Sequence, residues 1–356
     1  MSNGSDVPHV WIVRAGRHGE DEEASLEQGL AIIGFLSYDD LGRYGSLEDM
    51  VAAALARDPR TPRRRAEAHA RQLLAFRDKI READTVVMPL KTRRGQIAIG
   101  RVTGPYRHQE VGGVLRHTRP VEWTHPDVPR SSFAQDLLHS FGAFSTVCRI
   151  QRNDAERRVQ AVLAGQPDPG PRIGVTRPDD RNDEVPSSDG APFNLEQAAA
   201  DEVTAFIRTN FPDHKMADLV DAVLRAEGFV TRCSPPGPDG GADILAGSGP
   251  LGLDPPYLCV QVKATEAPVD VKVYRELAGT MSGFKASQGL LVSWGGFKQS
   301  VVREARQDVF KIRLWDQSDL VAAVQKNYDR LDPDVQTELP LKRVWMLVHE
   351  GDEDEE

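Results

Sequence analysis

The stretch GPDGGADILAG (residues 237–247) and the run LCVQVKA that follows it (residues 258–264) gather residue types that can do chemistry together. Gly237, Gly240 and Gly241 allow a tight turn whose backbone can approach a ligand closely. Asp243 opens a predicted strand. On the next strand, the side-chain period of two puts Cys259, Gln261 and Lys263 on one face and Val260 and Val262 on the other. A glutamine and a lysine facing together from a strand whose alternate positions are valine need polar partners. A hairpin that brings Asp243 beside them collects a carboxylate, an amide and an ammonium at one edge of a sheet. That set suits metal-assisted hydrolysis of a phosphodiester. The Asp243 carboxylate and the backbone carbonyl of Val262 would hold Mg2+, or Mn2+ in its place, since hard cations prefer oxygen ligands. The metal would polarise the phosphate and acidify a water, while Lys263 orients that water and offsets developing charge.

These residues resemble the Mrr-like branch of the PD-(D/E)xK nuclease superfamily, in which Gln often replaces the acidic residue two before the lysine. The resemblance covers about residues 195–345. Its motifs follow the family's order: LVDAVLRAEGF, GPDGGADI, CVQVKA, GTMSGF and GLLVSWGGF. It implies a Mg2+-dependent DNA endonuclease with Asp243, Gln261 and Lys263 as catalytic residues. Two departures stand out. The literal Pro-Asp is Pro238-Asp239, in the glycine turn, so Asp243 is taken as the metal ligand and Asp239 as a secondary neighbour. Family members often carry a glutamate on the helix before the first strand; here HKMADLVDAVL has Ala217 at that place and Asp218 beside it. Asp218 either substitutes as a ligand or is an ordinary exposed helix charge. A neutral Gln261 leaves fewer charged ligands, which predicts weaker Mg2+ binding than in a D…ExK site.

The elements that must position this set follow from hydrophobic patterning. The second half reads as helices at 195–209 and 216–227, then strands at 229–233, 242–246 and 257–264. A helix at 269–284, a wholly apolar strand at 289–294, a helix at 299–308, a strand at 311–315 and a helix at 318–328 complete it. Antiparallel strands followed by strand-helix alternation predict an α/β fold, a mixed sheet flanked by helices on both faces. The first half reads as a smaller α+β domain. It has strands at 10–13, 31–35, 85–90 and 96–103 and around Arg119 to Trp123, and helices at 46–57, capped by Ser46, and 62–82. The Pro-, Gly- and Asp-rich stretch between them has little periodicity. The predicted organisation is a recognition domain at 1–150, a linker at 151–192, a nuclease domain at 193–349 and an acidic tail at 350–356.

The first domain resembles the PUA-like group that includes EVE and YTH domains, through WIVRAG and the strand-helix order that follows. The resemblance implies a pocket for a flipped, modified base, with Trp11, Arg14, Phe35 and Trp123 as its candidate walls. Core aromatics are an equal reading for Trp11 and Trp123. The arginines 63, 64, 65, 71 and 77 suit either a solvated helix face or a phosphate track.

Composition narrows the field further. The chain has 356 residues with 44 Lys+Arg against 54 Asp+Glu. The closing EGDEDEE holds six of the acids and no base, whereas residues 1–150 hold 21 bases and 19 acids. Net charge therefore neither excludes DNA nor favours it. No apolar run reaches the ~18–20 residues of a membrane span, and MSNGSDVPHVWIV lacks the pattern of a secretory signal. Cys148, Cys233 and Cys259 fit neither a disulfide scaffold nor a zinc site. The expectation is a cytoplasmic protein whose partner is DNA carrying a modified base, with a homodimer left open. The alternatives are a structure-specific or single-strand-directed nuclease and a catalytically inactive nucleic-acid-binding protein.

Overall fold

The computed structural model describes residues 8–93, 95–143, 145–172, 195–234 and 241–344. One compact unit reaches to Asp201 and a second begins at Glu202. Asp239 and the acidic tail at 350–356 lie outside the described residues.

The first unit contains β1 (Val10–Val13), α1 (Glu22–Gln28), β2 (Leu30–Ile33), α2 (Leu47–Arg57) and α3 (Arg63–Leu74), which runs into a π-helical segment (Ala75–Lys79). Then come β3 (Thr85–Pro89), β4 (Gln96–Val102), β5 (Arg107–Val111), β6 (Val114–Pro129), α4 (Gln135–Phe141), β7 (Val147–Ile150) and α5 (Ala155–Leu163). The strands form one mixed sheet in the order β2-β6-β4-β3-β1-β7, with β5 hairpinned onto β6. β1 runs parallel to β3 and antiparallel to β7. All four of its residues are buried. Trp11 and Val13 pack with α2 and α3, while Val10 and Ile12 pack with α4 and α5. A strand covered on both faces reads as an unbroken apolar run. Ser46 caps α2 by accepting from the Asp49 N–H at 3.2 Å.

α5 lies inside the stretch expected to be linker. Its Ala155 and Val159 are fully buried, and Arg158 is wholly enclosed between Asp136 and Asp168. Residues 155–163 are thus part of the first unit's core. The composition of the segment behind them hid a helix of nine residues.

The second unit takes the C-terminal part of α6 (Leu195–Asn210), then α7 (His214–Ala226), β8 (Val230–Cys233), β9 (Ile244–Ser248), β10 (Asp254–Lys263), α8 (Val271–Phe284), β11 (Gln288–Ser293), α9 (Gln299–Ala305), β12 (Ile312–Trp315), α10 (Gln317–Asn327) and α11 (Pro333–Glu338). The sheet order is β12-β11-β10-β9-β8. β8, β9 and β10 are antiparallel neighbours, whereas β10, β11 and β12 run parallel. Ile244, Val260, Leu290 and Val292 face α6, α7 and α10. Cys259, Leu291 and Ile312 face α8 and α9. This is the mixed α/β sheet with helices on both faces that the sequence predicts. Among the described residues no helix is long and apolar enough to cross a membrane.

Candidate active site

The last register pairs between β9 and β10 are Cys259 with Leu245 and Val260 with Ile244. Asp243 immediately precedes β9 and Gln261 follows Val260 on β10, so the two sit at the same end of this strand pair. The Asp243 N–H donates to the Val260 carbonyl at 2.9 Å. In return the Val262 N–H donates to the Asp243 carboxylate at 2.7 Å. A charge-assisted bond of this kind fixes a carboxylate firmly. Alternate residues of β10 thus turn their peptide groups towards β9, and the Val262 carbonyl points to the side occupied by Asp243.

Gln261 is 7% exposed, and its Oε1 has no partner among the described residues. Lys263 lies two positions on, on the same strand face, and is half-buried. Among the described residues no carboxylate pairs with its ammonium. Its backbone is held from the neighbouring strand, where Trp294 N–H donates to the Lys263 carbonyl at 2.8 Å and Gly295 N–H to Thr265 at 3.0 Å. A Cβ on Gly295 would fall 2.3 Å from the Glu266 carbonyl, so the SWGGF turn closes over the end of β10 only with glycine there. The set sits at the carboxyl ends of the parallel strands β10 and β11, where open α/β sheets bind their ligands.

The α8 side of the sheet closes the site. Gly241 has φ +90°, and a Cβ there would lie 2.8 Å from the Thr280 hydroxyl. Gly241 therefore packs onto α8 as a residue with no side chain. Cys259, next in line on this face, is buried, and burial together with the Asp243 charge pushes its thiol up to about 11. A raised thiol pKa disfavours the thiolate, the form in which cysteine is a nucleophile.

Asp218 is exposed on α7, the helix covering the opposite face from Gln261. There Cys233 is pushed up to about 11 by burial, then by Asp221, then by Asp218. Sequence reading passed over Asp221. It is 6% exposed, pairs with Arg225 at 2.9 Å, and leaves one carboxylate oxygen without a partner among the described residues. The available signal was an aspartate inside the apolar run LVDAVL.

The residues proposed to wall a base pocket in the first unit are bonded into its fold. Trp11 is 1% exposed and its indole N–H donates to Asp84 at 2.9 Å; this is the core reading, and Trp11 lines no surface. Arg14 donates to the carbonyls of Phe141 and Ala143 behind α4, at 3.0 and 2.8 Å. Trp123 is half-buried, its N–H on the Ser25 carbonyl at 2.8 Å. Phe35 is buried edge-on to Tyr38 and His69. Of the arginine helix, Arg63 pairs with Glu67 at 2.9 Å, Arg77 holds the Leu41 and Tyr44 carbonyls, and Arg64 and Arg71 are exposed.

The second unit is thus a helix-flanked mixed sheet carrying a carboxylate, an amide and an ammonium at its strand ends. Residues 208–324 match the family model of a restriction endonuclease (Mrr_cat), and this part of the chain is an endodeoxyribonuclease domain. Residues 11–143 match a domain of unknown function, DUF8426. Among solved structures the chain is similar to the DNA modification-dependent restriction endonuclease AspBHI, at 16% identity and a TM-score of 0.32, over 79% of this chain and 74% of that one. It is also similar to the MspJI restriction endonuclease in complex with a 27-mer oligonucleotide, at 15% identity and a TM-score of 0.31, over 93% of this chain and 79% of that one. Superpositions at this level do not establish a common overall fold. No curated protein matches the sequence.

Proposed function

We propose that the protein is a divalent-metal-dependent DNA endonuclease in which the second unit cuts and the first unit selects modified DNA, as in intracellular, cytoplasmic restriction or defence against foreign DNA. One observation carries the catalytic part: the Asp243 carboxylate is held on the N–H of Val262, the residue next to a buried Gln261 whose amide oxygen has no partner among the described residues. A buried, unsatisfied acceptor beside a fixed carboxylate is costly unless something fills the gap. A carboxylate oxygen, an amide oxygen and a strand carbonyl are the hard donors that Mg2+ or Mn2+ takes. The residues present therefore fit such an ion: Asp243, Gln261 and the Val262 carbonyl would hold it, with Asp239 as an outlying candidate, whereas Asp218 lies on the helix that covers the opposite face of the sheet. Bound there, it would supply Lewis-acid polarisation of the phosphate and acidification of water.

The chain's own groups do the rest. Asp243 is oriented by the Val262 N–H and brings the negative charge. Lys263, with no carboxylate partner among the described residues, positions the attacking water and offsets charge on the pentacoordinate phosphate. The joint presence of Asp243, Gln261 and Lys263 argues against a catalytically inactive binding protein.

The selective part rests on the resemblance of the first unit to base-binding domains. A second reading, structure-directed cleavage, is favoured by the internal bonding of Trp11, Arg14 and Trp123. Challenging the full chain with unmodified, cytosine-methylated and hydroxymethylated duplexes, with and without Mg2+, separates the two. Cleavage confined to modified duplexes supports selection by modification; equal cleavage of all of them moves the structure-directed reading to first place.

The neutral Gln261 makes a specific prediction. Gln261→Glu adds a ligand charge, so the Mg2+ concentration giving half-maximal cleavage should fall about tenfold. The new carboxylate would face Asp243 in a buried place, which raises its pKa in the absence of metal. The titration is therefore best run near pH 8. An unchanged or higher Mg2+ requirement in a folded variant counts against the electrostatic account.

A further inference from the structure

The wall facing Gln261 belongs to α8. Glu276, Gly279, Thr280, Gly283 and Phe284 line one concavity together with Gln261, and steps of three and four residues place them along one helix face. Gly279 and Gly283 are exposed, and a Cβ built on either meets nothing within 4 Å among the described residues. Packing among the described residues does not call for glycine at these positions. Helix formation argues against it, because only proline is a poorer helix former. The second observation is Gln261, 7% exposed, which lines the same concavity with an amide oxygen lacking a partner among the described residues, so the concavity opens onto the metal site proposed above.

Resting on the nuclease reading above, we infer that the glycine strip of α8 is the seat of the DNA strand being cut. Its sugar-phosphate backbone lies against Gly279 and Gly283, where missing side chains let it come close to Asp243, Gln261 and Lys263. Charge and shape give the strip two different ends. Glu276 at one end is an exposed carboxylate in a loose 3.9 Å ion pair with Lys272, and its negative charge disfavours phosphate. At the other end Phe284 is 46% exposed and Lys285 follows it, also exposed. The ring offers a face to a base or sugar and the ammonium a partner for phosphate.

The test adds side-chain bulk where the chain itself has room. In the full chain, Gly279→Ala and Gly279→Leu should leave Tm unchanged or raise it, because both improve the helix. Cleavage should nevertheless fall with side-chain size, by about threefold for Ala and about thirtyfold for Leu, since small displacements of a reacting strand are costly. Affinity for a fluorescein-labelled duplex, measured in EDTA, should fall in the same order. Ser282→Leu, on exposed helix surface outside the concavity, should change neither. Wild-type binding and cleavage by Gly279→Leu would overturn the inference and leave the nuclease intact. A drop in Tm parallel to the loss of cleavage would assign the glycines to packing and overturn it equally. Failure of the wild-type chain to cut any duplex with Mg2+ or Mn2+ would overturn the nuclease reading, and the strand seat with it.

Discussion

Asp243→Asn should abolish DNA cleavage while leaving the fold intact. The amide oxygen can still accept the Val262 N–H bond, 2.7 Å long in the native site, so the turn before β9 keeps its anchor. What disappears is the charge. Asp243 brings a full negative charge to the point where Gln261 offers only an amide, and the remaining donors are neutral carbonyl oxygens. Loss of that charge should lower the cleavage rate on the order of 10^3-fold, the scale of removing one electrostatic stabiliser from an active site. Asp243→Ala should lose as much activity and some stability besides, because it also leaves the Val262 N–H without its acceptor. Single-turnover cleavage together with thermal melting checks both. Near-native cleavage by Asp243→Asn would remove this residue from the site.

The largest effect on stability is expected at Arg158, in the first unit. Its side chain is fully enclosed and donates to both oxygens of Asp136 and both of Asp168, at 2.6 to 2.8 Å. Arg158→Ala leaves two carboxylates facing each other around an empty place and should cost about 3–5 kcal/mol of the first unit's stability. Arg158→Lys should recover little, because an ammonium cannot make the forked contacts of a guanidinium. Urea unfolding checks both variants.

The same cluster gives a pH dependence. Burial opposes ionisation of Asp168, but hydrogen bonds from Arg158 and from the Ala134 and Gly170 N–H groups outweigh it and hold the carboxyl below its ordinary 3.8. A carboxyl with a depressed folded-state pKa stabilises the fold above 3.8 and loses that contribution as pH falls through the lower folded value. The wild-type chain should therefore lose stability below that range more steeply than Arg158→Ala. Equal acid sensitivity in both would show that the cluster does not carry the effect.

The juxtaposition of Asp243, Gln261 and Lys263 was legible in the sequence because its geometry is local. Period-two alternation in CVQVK placed Gln261 and Lys263 on one face, and the short spacing from Asp243 to that strand lets the carboxylate reach the Val262 N–H. What stayed hidden depends on partners remote in the chain. The indole of Trp11 is satisfied by Asp84, 73 residues away, so nothing near WIVRAG distinguishes a core tryptophan from a pocket wall. Glu22, in the acidic run that forms α1, is buried because the Lys91 and Thr92 N–H groups reach it across the sheet. Arg158 makes α5 read as a polar segment, yet Asp136 and Asp168 neutralise it inside the core. The open face of α8 also escaped notice: the predicted helix at 269–284 runs through Gly279 and Gly283, but the sequence does not show that no described residue packs against them.

Central to all of this is a phosphodiester-cleaving centre built on β9 and β10, and one comparison tests it most directly. Wild-type chain and Lys263→Ala are incubated with the same end-labelled duplexes in Mg2+ and in EDTA, with folding checked by thermal melting. The account predicts cleavage by the wild type in Mg2+ only, and none above background by Lys263→Ala in either condition. Cleavage by a folded Lys263→Ala at the wild-type rate, or wild-type cleavage that persists in EDTA, would contradict it.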